Sequence, residues 1–174
     1  MKSLCVFCGS SMGLRDVHQE QASKVGHFLV ENKVRLVYGG ASIGLMGTIA
    51  DAVIEKGGEV LGVIPFFIKK MEIAHKKLTK LIEVKSMHER KKVMYDESDA
   101  FLALPGGIGT LDELCEIATW QQLGLHAKPI YIFNQNGFFN FFLKHLDHCV
   151  KEGFLSQKHR KLFTEINSLS ELTL

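Results

Sequence analysis

The chain's 174 residues suit one domain, residues 1–174, large enough to bury a core without disulfides or metals. Hydrophobic residues at 46% and charged residues at 23% fit a soluble globular protein, and a formal net charge of +2 without a long basic block gives no argument for a nucleic-acid partner. Four scattered cysteines, the lack of a cleavable apolar leader and a longest apolar run (residues 60–68) of about half a membrane span predict a cytoplasmic protein with reduced thiols and no membrane partner.

Residues 3–8 are apolar and β-prone, and they empty into Gly9-Ser10-Ser11-Met12-Gly13, a first strand and its loop. Cys5 and Cys8 have CxxC spacing. On a strand, however, their sulfurs point to opposite faces, and no second CxxC completes a zinc site, so core packing is expected and no metal. A helix over about residues 17–32 carries Ala22, Val25, Phe28 and Leu29 on one face. The second strand, residues 34–38, also ends in glycines, Gly39-Gly40-Ala41-Ser42-Ile43-Gly44-Leu45-Met46-Gly47, before a helix to about residue 56. Residues 59–64 form a third strand stopped by Pro65, residues 66–80 read as irregular or short helix, and residues 81–84 form a fourth strand.

Ser86-Met87-His88-Glu89 has the capping-box spacing, so a helix starts there with Arg90, Lys91 and Lys92 in its first two turns. Cations at a helix N-terminus oppose its dipole; a bound anion would offset that, and a solvated basic turn is the alternative. Residues 100–104 are a buried strand leading into Pro105-Gly106-Gly107-Ile108-Gly109, with a helix from Thr110 to about residue 123. That helix is expected to turn Leu111, Leu114, Cys115 and Ala118 inward, with Glu113, Glu116 and Trp120 on an adjacent stripe. A strand over residues 128–133, a helix over 138–151, a last strand over 161–166 and a short terminal helix over 168–174 complete the chain. His145 and His148, one turn apart, lack a third ligand and suit a solvated or packed face.

A strand that empties into a glycine loop and a helix N-terminus makes an anion site, because the first helical turn has unpartnered N–H groups and a partial positive charge. The loop after Leu104 has that form. Thr110 and Glu113 also have capping-box spacing, so Glu113 reads either as a cap or as a carboxylate beside a bound phosphate ester. Neither glycine loop fits G-x-G-x-x-G or the Walker pattern. Strands that alternate with helices and run continuously apolar predict an α/β, doubly wound parallel sheet with helices on both faces. The loops at Gly9, Gly39, Ser86 and Gly106 then lie at strand carboxyl ends and converge on one cleft.

The segment Pro105-Gly106-Gly107-Ile108-Gly109-Thr110-Leu111-Asp112-Glu113 matches the PGGxGTxxE signature of the LONELY GUY (LOG) family. Ser86 to Lys91, Gly39-Gly40 with the run from Gly44 to Gly47, Gly9-Ser10-Ser11, and Thr119-Trp120 with residues 124–129 resemble that family too. The resemblance implies a Rossmann-like homodimer that hydrolyses the N-glycosidic bond of nucleoside 5′-monophosphates, cytokinin riboside 5′-monophosphates and AMP among them, with no cofactor. A lysine decarboxylase label attached to such proteins has no support in this sequence, where no cofactor lysine can be singled out. Glu113 and Arg90 are the implied catalytic pair. Gly106, Gly107, Ile108, Gly109, Thr110, Leu111 and Asp112 form the substrate-binding turn, and Lys91, Glu72, Thr119, Met87, Gly9, Ser10, Gly39 and Gly40 join them. The alternatives are a general purine 5′-nucleotide nucleosidase and a non-catalytic nucleotide-binding module.

Overall fold

A computed structural model describes residues 2–69 and 74–173. It contains β1 (Ser3–Phe7), β2 (Arg35–Tyr38), β3 (Val60–Pro65), β4 (Lys80–Val84), β5 (Ala100–Ala103), β6 (Ile130–Phe133) and β7 (Phe163–Ile166). These strands form one parallel sheet in the order β4-β3-β2-β1-β5-β6-β7. Helices α1 (Asp16–Glu31) and α2 (Gly44–Glu55) pack on one face of the sheet. On the other face lie α4 (Met87–Asp96), α5 (Ile108–Gln122) and α6 (Asn140–Lys151). Two short helices, α3 (Phe66–Lys69) and α7 (Gln157–Arg160), lie between strands and helices of the main frame.

The alternation of side chains along each strand divides the core between the two faces. Leu4, Val6 and Cys8 point to the α1–α2 side, and Cys5 and Phe7 to the other, so both thiols are core residues on opposite faces, as expected from the sequence. On the first side α1 approaches α2 closely: a Cβ on Gly26 would lie 2.7 Å from that of Ala52.

Strand order reverses at β1, whose neighbours are β2 and β5. The chain therefore leaves β1 and β5 toward opposite faces, and a crevice opens between their carboxyl ends. Backbone bonds tie the two exits together: the Leu104 N–H donates to Phe7 O at 2.9 Å and the Gly9 N–H to Pro105 O at 3.0 Å.

Several boundaries differ from the sequence reading for local reasons. Pro65 does not stop β3 early; it ends the strand opposite Val84, at a position proline tolerates. Helix α5 starts at Ile108, with Gly107 as its N-cap residue, so Thr110 is the third helical residue and no cap. Cys115 faces outward and Ile117 takes the inward place assigned to it. At α4 the cap is half of the expected box: Ser86 Oγ accepts from the Glu89 N–H at 3.1 Å, but the Glu89 carboxylate accepts from the Lys85 N–H instead. The terminal helix is a 3₁₀ turn, Leu169–Glu171, with a full capping box from Ser168.

The two outer strands are more solvated than the inner ones: β7 exposes Thr164 and Glu165, and β4 exposes Lys80 and Glu83.

Gly44 anchors the loop geometry at the start of α2. Its φ is +60°, and a Cβ there would collide with the Ser10 backbone. Gly44→Ala is expected to cost about 2–4 kcal/mol of stability, measured by urea denaturation.

Candidate active site

The loop leaving β1 and the N-terminal turns of α2, α4 and α5 enclose a cleft of about 210 Å³. Its floor is a buried ion pair: Arg90 Nη1 stands 3.6 Å from Glu113 Oε1, and the two side chains are 10% and 11% exposed. Arg90 is in the first turn of α4 and points back over the ends of the strands. Its Nε donates to Val63 O at 3.1 Å and its Nη2 to Gly39 O at 3.2 Å, leaving the Nη1 edge for the cleft. Gly39 has to be glycine because a Cβ would occupy the place of the guanidinium.

Glu113 projects from the buried face of α5, next to Thr110, Leu114 and Ile117. Because α5 starts at Ile108, Glu113 lies in its second turn, and the capping alternative is removed by helix register. Burial pushes its carboxyl up to about 7; Arg90 and Lys91 oppose the rise, and Asp112 and Glu116 add to it. A carboxyl that exchanges its proton near neutrality, in contact with a fixed cation, is suited to acid–base work.

The adjoining wall is the N-terminal turn of α5. Gly106 is packed internally, where a Cβ would strike Thr110 Oγ1. Gly107 and Gly109 differ: nothing lies within 4 Å of a Cβ built on either. Neither has a positive φ, so no internal requirement of the fold asks for glycine there. Open backbone at a helix N-terminus is what an approaching phosphate needs.

The structure brings Gly9, Ser10, Gly107, Ile108, Gly109, Thr110, Arg90 and Glu113 to the cleft. Gly39 and Gly106 support it from behind, and Gly40, with φ +80°, accepts the His75 N–H through its carbonyl. Leu111 packs toward the core. Asp112 turns to Lys91, whose Nζ lies 3.2 Å from Asp112 Oδ2 and 3.0 Å from Glu116 Oε1. Met87 is half-buried in the first turn of α4, and Thr119 is exposed with its hydroxyl donating to Cys115 O at 2.8 Å. Lys91, Met87 and Thr119 are not among the side chains that line the cleft. Glu72 lies outside the described residues. Cys8 and Met46 also line the cleft; Met46 belongs to the Gly39–Gly47 loop expected there, whereas Cys8, the last residue before Gly9, reads in the sequence only as a core residue. Burial pushes the Cys8 thiol well up, with Glu113 adding, so it is a neutral wall.

Fold and cleft together define a doubly wound α/β protein with a candidate anion site at its switch point. A family model described as "possible lysine decarboxylase" matches residues 46–173. The probable cytokinin riboside 5′-monophosphate phosphoribohydrolase LOGL9 of Oryza sativa subsp. japonica is 49% identical over 162 residues, 93% of this chain and 71% of that protein. The cytokinin riboside 5′-monophosphate phosphoribohydrolase LOG5 of Arabidopsis thaliana is 45% identical over 171 residues, 98% of this chain and 75% of that one. The Moco carrier protein from Chlamydomonas reinhardtii shares the fold at 18% identity, with a TM-score of 0.70 over 97% of this chain and 91% of its own. The X-ray structure of TM1055 does so at 20% identity, with a TM-score of 0.73 over 98% and 95%. The chain belongs to the LOG family.

Two outcomes follow from the geometry. With its folded-state value near 7 against an ordinary 4.5, Glu113 holds a proton that the unfolded chain releases, so its contribution to stability falls as pH rises between those values. Glu113→Gln is therefore expected to be more stable than wild type by about 1–3 kcal/mol at about pH 8, the difference closing toward about pH 4, in denaturation curves across pH. Gly109→Ala is expected to melt no lower than wild type, since the added methyl meets open space, while losing the thermal protection that a nucleoside 5′-monophosphate gives.

Proposed function

We propose that this chain is a phosphoribohydrolase that cleaves the N-glycosidic bond of adenosine-type 5′-monophosphates, N6-modified ones included, releasing the free base and ribose 5-phosphate. The observation that carries it is Glu113, a buried carboxylate paired with a fixed arginine beside an unobstructed helix N-terminus. The names of the LOG relatives support the substrate class.

The amides of Gly107 to Thr110 and the Thr110 hydroxyl hold the 5′-phosphate at the positive end of α5. The ribose then lies over the Arg90–Glu113 floor. As the C1′–N bond breaks, its electron pair leaves with the base and positive charge builds on the sugar; the Glu113 carboxylate stabilises that charge. Water adds to C1′ and gives a proton to Glu113, and the departing base takes up one proton in turn. Arg90, held at two other nitrogens by strand-end carbonyls, keeps its exposed edge fixed toward the sugar phosphate without having to reorganise. At about 210 Å³ the cleft is smaller than the roughly 300–1,000 Å³ typical of sites that enclose a whole drug-sized ligand. It suits the ribose phosphate, with the base extending past Met46. Met87, Glu72 and Thr119 enter the proposal through the family resemblance. A cytoplasmic homodimer without a nucleic-acid partner completes it, and the exposed Leu123 and Leu125 beyond α5 supply apolar surface for a second copy.

The test is chromatography of AMP and isopentenyladenosine monophosphate after incubation with purified protein. Free base and ribose 5-phosphate are expected from wild type, with kcat lowered at least about 100-fold in Glu113→Gln. The ratio of the two rates separates cytokinin release from general nucleotide turnover. Binding without loss of either nucleotide would make the chain a nucleotide-binding module instead.

A further inference from the structure

Beside the floor of the cleft, between α4 and α5, lies a second group of charges. Lys91 is one residue from Arg90 and is nearly as buried, and its ammonium joins two carboxylates of the facing helix, Asp112 at 3.2 Å and Glu116 at 3.0 Å. These carboxylates flank Glu113 in sequence, one immediately before it and one a turn later. Asp112 is half-exposed, whereas Glu116 is mostly buried and its Oε2 has no partner. Among the described residues, the charged groups facing Glu113 are Arg90 and Lys91 from α4 and Asp112 and Glu116 from α5; from β1 and its exit it meets the thiols of Cys5 and Cys8, which burial keeps protonated.

Among the described residues the cluster holds two cations and three carboxylates. With all three ionised, one negative charge is uncompensated in a poorly solvated place; with one protonated, the cluster is neutral. Asp112 has water and Lys91, and Glu116 has the shorter contact to Lys91. Glu113 has only a 3.6 Å contact to an arginine already engaged by two carbonyls. The proton goes where ionisation is least supported.

We propose that Lys91 is a positioning residue rather than a phosphate ligand: by claiming Asp112 and Glu116 it locks α4 to α5 and makes Glu113 the carboxyl of the cluster that takes up a proton in turnover. This rests on the role of Glu113 proposed above. Burial alone would lower the Lys91 ammonium, but its bonds to Glu116 and Asp112 more than reverse that, so it stays charged throughout the working range.

The charge arrangement predicts opposite signs for different variants. Lys91→Met should raise the midpoint of the acid limb of kcat by about one pH unit, costing about tenfold in kcat on that limb, with KM for AMP within about twofold of wild type. Lys91→Arg should restore the wild-type midpoint. Glu116→Gln and Asp112→Asn should each lower the midpoint, since both carboxylates raise the Glu113 carboxyl. A second readout that does not depend on turnover is the ¹³C NMR titration of the Glu113 side-chain carboxyl, assigned by its loss in Glu113→Gln. Shifts of the stated signs in the NMR titration support the clasp. If they occur without matching changes in kcat, the clasp stands and the catalytic role of Glu113 falls. A Lys91→Met variant with KM raised more than about tenfold and an unmoved Glu113 midpoint would make Lys91 a phosphate ligand and overturn the proposal. Should Lys91→Met not fold, failure of both carboxylate variants to lower the midpoint overturns it equally.

Discussion

The carbonyl oxygens of Gly39, just past β2, and of Val63, in β3 beyond its last pairing with β2, both accept from the Arg90 side chain, and that hold sets the rest of the site. A guanidinium is costly to bury, and the cost is met only where its donors find fixed acceptors. Parallel strands of unequal reach supply such acceptors, since carbonyls past the end of a neighbouring strand have run out of partners on that side. With the cation immobilised there, the facing helix can carry a carboxylate at the same depth, and Glu113 is that carboxylate. The pairing is loose by the standards of a structural salt bridge. A tight bidentate pair would hold Glu113 ionised and inert; at 3.6 Å the carboxyl keeps its capacity to exchange a proton.

The glycines of the site fall into two kinds, and the distinction explains how a motif can be both structural and functional. Gly39, Gly44 and Gly106 are glycines because the protein itself fills the space where a side chain would go. Gly107 and Gly109 are glycines facing emptiness. The first kind assembles the loops around Arg90 and Thr110. The second leaves a bare strip of amides at the positive end of α5, and its purpose lies outside the chain.

The layered architecture and the cleft were legible in the sequence because they rest on patterns the sequence carries directly: continuous apolar strands, alternation with helices, and glycine loops at strand ends. The convergence of Gly9, Arg90, Gly107 and Glu113 follows from the parallel topology alone. Helix register was not legible. Thr110 and Glu113 have the spacing of a capping box, but the turn of Gly106 and Gly107 lets the helix begin two residues earlier, and only three-dimensional packing of Thr110 against Gly106 decides between the two starts. The partners of Lys91 and the outward facing of Cys115 could not be read from the sequence for a related reason. Which carboxylate a lysine meets, and which side of a helix meets the sheet, depend on how α4 and α5 are set against each other, a tertiary property. Cys8 and Met46 carry no chemical signal in sequence and are recognisable only by their place beside the glycines.

The two outer strands of the sheet bear on how copies of the protein can meet. A parallel sheet has open rows of amides at its edges, and apolar edges would invite another chain to extend it. Here β4 presents Lys80 and Glu83, with Glu83 tied to Lys69, and β7 presents Thr164 and Glu165, with Glu165 bonded to Asn134. Continuing the sheet into a neighbour would require stripping water and partners from these groups on both sides of the new seam. Strand addition, with its open-ended growth, is thereby disfavoured at both edges of the sheet.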